Sequence, residues 1–320
     1  MRAHPRIGIT IGDPGGIGPE ILLKALARES GAGEILLFGS VRVLDYHART
    51  LRISVPTNHI RPVDIDNIPV PYTGARPEES GRATIDYLEE AFRFLQSGRI
   101  DALVTGPIQK ESWHQAGFHY PGQTEFCAKQ ADVHDYCMLM VGAHFRIALL
   151  STHLSLPDAL QQVRSNTIAA KIRLIDTEFR KLGFERPRIA CAALNPHAGE
   201  RGAFGSEEQT EIEPAIQKLR ESGIMVDGPI APEVVFRVAA SQDRWDVILA
   251  LYHDQAMIPL KLLDFENSAN VTIGLPFIRT SPDHGTAFDI AGKGIANPGS
   301  MIYAIDLAVD WTRKRWEAGS

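Results

Sequence analysis

Apolar and polar residues alternate along the chain in short blocks. Residues 7–11 are an apolar run, a glycine-rich turn comes next, and 21–26 is again mostly apolar, which reads as strand, tight loop and helix. Residues 35–38, 102–104, 137–141, 146–150, 189–193 and 247–251 are short and apolar, the length of buried strands. Longer stretches with helical spacing lie between them. Over 80–95 the apolar residues Ile85, Leu88, Ala91, Phe92 and Leu95 fall on one face. Residues 41–50, 165–182, 207–222, 231–240 and 299–316 are further helical candidates. Strands alternating with helices predict an α/β protein with largely parallel sheets. Residues 137–150, with Gly142-Ala143 between two apolar runs, predict a hairpin.

The early glycine-rich stretch, GDPGGIGPE at 12–20, raises the question of a nucleotide. A P-loop needs a Lys-Ser/Thr pair after its last glycine, and Gly18-Pro19-Glu20 has none. The dinucleotide fingerprint needs a third glycine where Ile21 stands. Glu20 in the first helical turn suits the helix dipole and repels a phosphate. The loop therefore reads as a backbone turn at a sheet edge.

Polar clusters recur just beyond the apolar runs: Thr105-Gly106-Pro107, Ser151-Thr152-His153, Leu194-Asn195-Pro196-His197 and Tyr252-His253-Asp254. In open α/β sheets, ligands bind beyond the carboxyl ends of strands. Any one of His153, His197 and His253 could be a buried, hydrogen-bonded imidazole. Three in equivalent settings suit a divalent ion with an open position. Asp254 could orient His253 or cap a helix. Lys261 and Arg279 are candidates for an anionic substrate, or ordinary surface charges. His114, His119 and His144 read as surface or turn residues.

Composition narrows the classes. The chain has 320 residues, 44% of them hydrophobic, enough for one large domain or two lobes. A formal net charge of −6 argues against a nucleic-acid partner. No apolar run approaches the roughly 18 residues of a membrane span. No signal peptide precedes the first strand, and three widely spaced cysteines, Cys127, Cys137 and Cys191, suggest reduced thiols in a cytoplasm.

The ordered motifs GDPGGIGPE, TGPIQK, GQTEF, STHLSL, LNPHAGE, YHDQAMIPLK and NVTIGLPFIRTSPDHGTAFDIAGKG resemble the 4-hydroxythreonine-4-phosphate dehydrogenase family, across 7–304. The resemblance implies metal ligands at His153, His197 and His253. It implies substrate contacts at Gln123, Thr124, Lys261, Asn270 and Arg279, and a homodimer whose sites each draw residues from both subunits. Residues 284–298, HGTAFDIAGKGIANP, are similar to a late loop of isopropylmalate and isocitrate dehydrogenases. That similarity implies NAD contacts at Gly285, Thr286, Asp289 and Asn297. The family commonly has His-Thr where this chain has Gln123-Thr124; Gln hydrogen-bonds but carries no charge, so the substrate is open at this position.

The implied architecture is a two-lobed α/β/α fold like that superfamily, with the site in a cleft and at the dimer interface. Residues 1–125 with 276–320 would form the first lobe, carrying the NAD loop. Residues 126–275 would form the second, carrying the metal histidines and the dimer interface. The implied reaction is NAD-dependent oxidation of 4-phosphohydroxy-L-threonine, with one divalent ion per site (Zn, Co, Mg, Ni or Mn). Decarboxylation to 3-amino-2-oxopropyl phosphate would complete it, as a step of pyridoxal phosphate biosynthesis. Lys261 and Asp254 are the candidate catalytic residues, with Asp254 or a metal-held hydroxide taking the alcohol proton. The rival readings are a dehydrogenase of 4-phospho-D-threonate, 4-phospho-D-erythronate or a carboxylated cis-dihydrodiol, a metal hydrolase, an acetyltransferase-like enzyme, and a non-catalytic phosphoester-binding protein.

Overall fold

The computed structural model describes residues 4–28, 33–55, 59–68 and 77–319. The chain begins β1 (Arg6–Thr10), α1 (Gly18–Leu26), β2 (Glu34–Gly39), α2 (Val41–Leu51), β3 (Ile60–Asp64), α3 (Pro77–Gln96), β4 (Ala102–Thr105), α4 (Lys110–Gln115) and α5 (Gln123–Gln130). It continues with β5 (Cys137–Gly142), β6 (Arg146–Leu149), α6 (Leu156–Gln161), α7 (Ser165–Arg180), β7 (Ile189–Ala192), α8 (Glu213–Glu221), β8 (Val226–Ile230), α9 (Pro232–Ser241), β9 (Val247–Ala250) and α10 (His253–Leu263). It ends with β10 (Ser268–Ile273), β11 (Ile278–Pro282) and α11 (Gly299–Ala318). The α/β alternation expected from the pattern is present.

Two compact units divide the chain. The first comprises residues 1–134, 266–270 and 275–313, and the second 135–265, 271–274 and 314–320. A boundary after residue 125 would cut α5, and 126–134 stay with the first unit because that helix packs there. Residues 314–320 likewise belong with the second unit rather than the first.

In the first unit the strands run β3-β2-β1-β4-β11, all parallel. Ile7 and Ile9 are fully buried, and a Cβ on Gly8 between them would lie 2.4 Å from Ile100 Cδ1. Both faces of β1 are therefore covered, which is why it reads as a continuous apolar run.

In the second unit the order is β5-β6-β9-β7-β8. β5 and β6 form the expected antiparallel hairpin, and the other pairs are parallel. Register sets where the strands stop. Leu149 of β6 pairs with Ala250 of β9, and Leu249 of β9 pairs with Cys191 of β7. The three strands end level, so the segments bearing His153, His197 and His253 leave the sheet at one edge. Helix α10 buries Ala256 and Leu260 against this core, one turn apart, while Ile258 and Leu262 face outward.

All three cysteines are buried free thiols. Burial pushes Cys127 and Cys137 up to about 11 and Cys191 to about 12. Among the described residues no helix is long and apolar enough to cross a membrane.

Candidate active site

The histidine edge of the second unit is laced by side chains. Ser151 Oγ donates to Leu251 O at 2.9 Å, joining the ends of β6 and β9. Buried Gln255 accepts from Leu251 N at 2.7 Å and donates through Nε2 to Ala193 O at 2.8 Å, joining the ends of β9 and β7. The strands have ended here, so these bonds satisfy peptide groups that the ladder no longer reaches.

His153 and His253 come together, with ring centroids 5.9 Å apart. They line a pocket with Thr152, Leu156, Tyr252 and Asp254. His253 begins α10 after the extended residue Tyr252. Its Nδ1 lies 2.7 Å from Asp254 Oδ1. An ionised carboxylate there places the proton of a neutral imidazole on Nδ1 and leaves Nε2 with a lone pair for a ligand.

His197 is held differently. Residues His197, Ala198, Gly199, Glu200 and Arg201 form a left-handed turn with φ between 40° and 73°. Left-handed helical conformation costs roughly 1–2 kcal/mol for each non-glycine residue, so the surroundings must impose it. The His197 ring is 69% exposed, with Nδ1 3.3 Å from Glu233 Oε1. Among the described residues of this one chain, no three His, Cys, Asp or Glu side chains are gathered closely enough to hold a metal. The pair His153–His253 is assembled; His197 is not added to it.

A second constellation lies in the first unit. Arg279 on β11 is 3% exposed. Its guanidinium donates to Thr124 Oγ1 at 3.1 Å and to Thr105 Oγ1 at 2.6 Å. Burial lowers its pKa, opposed by the fields of Cys127 and Glu125. Gln123, buried at the start of α5, donates from Nε2 to Gly106 O at 3.0 Å. The end of β4, the start of β11 and the first turn of α5 thus converge on one group of hydroxyl, amide and guanidinium functions. Asn270 on β10 has a buried Oδ1 with no hydrogen-bond partner, a polar atom presented without an internal use. Lys261, on α10 in the second unit, has Nζ 5.1 Å from the centre of the Phe265 ring.

The late loop is bound to the early one. Ile17 N donates to Thr286 O at 2.9 Å. A Cβ on Gly16 would lie 2.9 Å from Thr286 Cβ and O, so only glycine permits this approach. Fully buried Glu20 accepts from Ala296 N at 2.8 Å and Gly294 N at 3.2 Å. Lys24 pairs with Glu20 at 2.8 Å and donates to the carbonyls of Gly294 and Ala296. Asp289 and Gly285 are exposed, Thr286 is buried, and Asn297 Oδ1 accepts from Gly299 N at 2.8 Å, holding the start of α11.

Sequence reading missed the supporting residues. Glu20 was legible as a first-turn acid, but not as the acceptor for a loop 276 residues away. Gln255 and Glu208 carried no signal beyond standing close to histidine motifs. Thr105 was visible only as a polar residue after a strand.

An α/β scaffold with imidazoles beyond strand ends, and with a buried guanidinium on β11 bonded to the hydroxyls of Thr105 and Thr124, has the character of a small-molecule enzyme. Comparison with known proteins makes the class specific. The family of the pyridoxal phosphate biosynthetic protein PdxA matches residues 31–308. A 4-hydroxythreonine-4-phosphate dehydrogenase of Sulfurihydrogenibium sp. (strain YO3AOP1) is 39% identical, over 97% of this chain and 99% of that one. A D-threonate 4-phosphate dehydrogenase of Pectobacterium atrosepticum is 38% identical, over 95% and 98%. The crystal structure of 4-hydroxythreonine-4-phosphate dehydrogenase from Klebsiella pneumoniae superposes with a TM-score of 0.85 at 35% identity, covering 97% of this chain and 98% of that one. The chain belongs to the PdxA family of dehydrogenases.

Proposed function

We propose that this chain oxidises 4-phosphohydroxy-L-threonine with NAD and a divalent metal ion, and that the 3-oxo acid formed loses CO2 to give 3-amino-2-oxopropyl phosphate. The observation that carries the reading is Arg279, a buried guanidinium flanked by the hydroxyls of Thr124 and Thr105, within a family of dehydrogenases. A buried guanidinium suits a phosphate or carboxylate far better than water or a neutral sugar.

The histidine donor set fits a divalent ion, since imidazoles suit Zn, Co or Ni. His153 and His253 would supply two ligands and His197 of a second copy the third, which accounts for the separation of His197 within one chain. The ion would polarise the alcohol oxygen and stabilise the charge left by decarboxylation. Bound NAD would accept the hydride. Asp254 holds the His253 tautomer; because its Oδ1 is already engaged there, the orienting role outweighs that of proton acceptor. Thr124, Gln123 and Arg279 grip the anionic end of the substrate, Lys261 and Asn270 its remaining polar groups, and this fixes the reacting carbon. In the late loop, Gly285 and Thr286 would hold the nucleotide, and Asp289 would meet its ribose, favouring NAD over NADP by charge. Asn297 steadies the loop.

A homodimer is supported by exposed apolar side chains beside these histidines. Leu154, Leu156 and Leu160 lie on and next to α6, and Ile258, Leu262 and Phe265 on and after α10. Ile258 is 69% exposed and Leu262 80%, a patch of the kind that marks an association surface.

A second reading is an acid other than the amino acid, such as 4-phospho-D-threonate, supported by the 38% identity to a D-threonate 4-phosphate dehydrogenase; Gln123 leaves the choice open. An amide carries no charge toward a phosphate where the family commonly has imidazole. Both readings are tested by monitoring NADH absorbance with added metal across 4-phosphohydroxy-L-threonine, 4-phospho-D-threonate, 4-phospho-D-erythronate and a carboxylated dihydrodiol. Turnover of the first supports the principal reading. Exclusive turnover of another moves the assignment to it, and no NADH with any of them leaves a binding protein. Coexpressed heterodimers of His153→Ala and His197→Ala, purified through two tags, test the shared site. Activity above either parent supports it, and none refutes it.

A further inference from the structure

The three residues before the Pro196-His197 turn are gripped by side chains. Ala193 O accepts from Gln255 Nε2 at 2.8 Å. Leu194 N and Asn195 N both donate to Glu208 Oε1, at 2.9 and 2.7 Å. Asn195 Nδ2 donates to Glu208 Oε2 at 2.9 Å and to Glu207 Oε2 at 2.8 Å. Glu208 is 1% exposed and opens a single π-helical turn, Glu208–Ile212. Its carboxylate is satisfied by these N–H groups, an arrangement that fixes the peptide planes it binds. A Cβ on Gly199 would lie 2.6 Å from Glu208 Oε2, so the left-handed turn is wrapped closely around the same carboxylate. Gln255 stands two residues after His253 on α10 and also accepts from Leu251 N.

We propose that Glu208 and Gln255 are positioning residues that clamp residues 193–195, impose the left-handed turn and so present His197 as a metal ligand. The proposal rests on the metal reading above. Neither side chain touches substrate or metal; both act through the backbone that leads to His197. Glu208 supplies acceptors to consecutive peptide N–H groups, and Gln255 ties the same segment to the helix carrying His253. Movement of either would displace the His197 imidazole from the position in which the turn presents it.

The test uses the full chain and Zn2+ competed against a chromophoric chelator. Glu208→Gln keeps size but places an amide N–H2 where Asn195 Nδ2 donates. Gln255→Met keeps size and loses both bonds. Each is expected to weaken Zn2+ affinity about 10–100-fold, the usual effect of removing an outer partner of a ligand. In a His197→Ala background neither should weaken it further, because they act through that imidazole. A general loss of structure would weaken binding equally in both backgrounds, and that result overturns the proposal. So does affinity within threefold of the parent. Gln255→Met serves if Glu208→Gln does not fold. If the unaltered protein binds no Zn2+, the metal reading fails, and amide exchange decides the clamp alone. Faster exchange confined to 194–202 in either variant upholds it; unchanged exchange there refutes it.

Discussion

The carboxylate of Glu20, fully buried in the first turn of α1, accepts the backbone N–H of Ala296 at 2.8 Å. This bond, with those of Gly294 and Lys24, ties the loop read as the nucleotide site to the early glycine-rich loop. The early loop therefore shapes and anchors the late one. Glu20→Ala leaves two N–H groups without their acceptor and a partly buried ammonium without its counter-charge. The expected loss is about 2–4 kcal/mol in urea unfolding. Amide exchange at 290–297 should rise with it. Unchanged exchange there would show that the tether is not what holds the loop.

Arg279→Lys replaces a planar fork with a point charge. One ammonium cannot span Thr105 and Thr124 as the guanidinium does. KM for the phosphorylated substrate should rise roughly 10–100-fold, with a smaller change in kcat. Steady-state kinetics measure this, and an unaltered KM would remove Arg279 from the substrate site.

Gln123→His restores the residue common in the family. Imidazole ordinarily titrates near 6.5. The pH profile of kcat/KM should gain an inflection absent from the parent, with tighter binding of a dianionic phosphate on the acid side. Superimposable profiles would mean that position 123 does not face the substrate anion.

Asp13, 1% exposed beside Gly15, has its carboxyl pushed above the ordinary value of 3.8, chiefly by burial, with the Gly15 N–H and Ser80 opposing. A carboxyl raised in the folded state is no liability below its unfolded value. Its cost grows as pH rises from the unfolded value to the folded one, because the unfolded chain ionises first, and is fully present above the folded value. Asp13→Asn should therefore raise the Tm at pH 8 and lose its advantage as pH falls toward 4. Calorimetry across that range checks the sign.

Local pattern determined much of the architecture. Short apolar runs such as 102–104 and 189–193 announced buried strands, and the 85-88-91-92-95 spacing announced the long helix α3, because burial of one face or two imposes those periods. Elements without a strong period, such as β3, β8 and the short helices α4 and α6, were not legible; neighbours and caps, not their own pattern, define them. The shared setting of His153, His197 and His253 was visible because each comes after an apolar strand, while only the β6-β9-β7 register brings those strand ends level. The sequence also placed Arg279 among polar candidates, yet nothing local distinguishes a surface arginine from one buried against Thr105 and Thr124. Glu20 with Ala296, and Glu208 with Leu194 and Asn195, belong wholly to tertiary structure. A side chain's acceptor role depends on which peptide N–H groups the fold leaves unpaired beside it, and no periodicity in the chain records that.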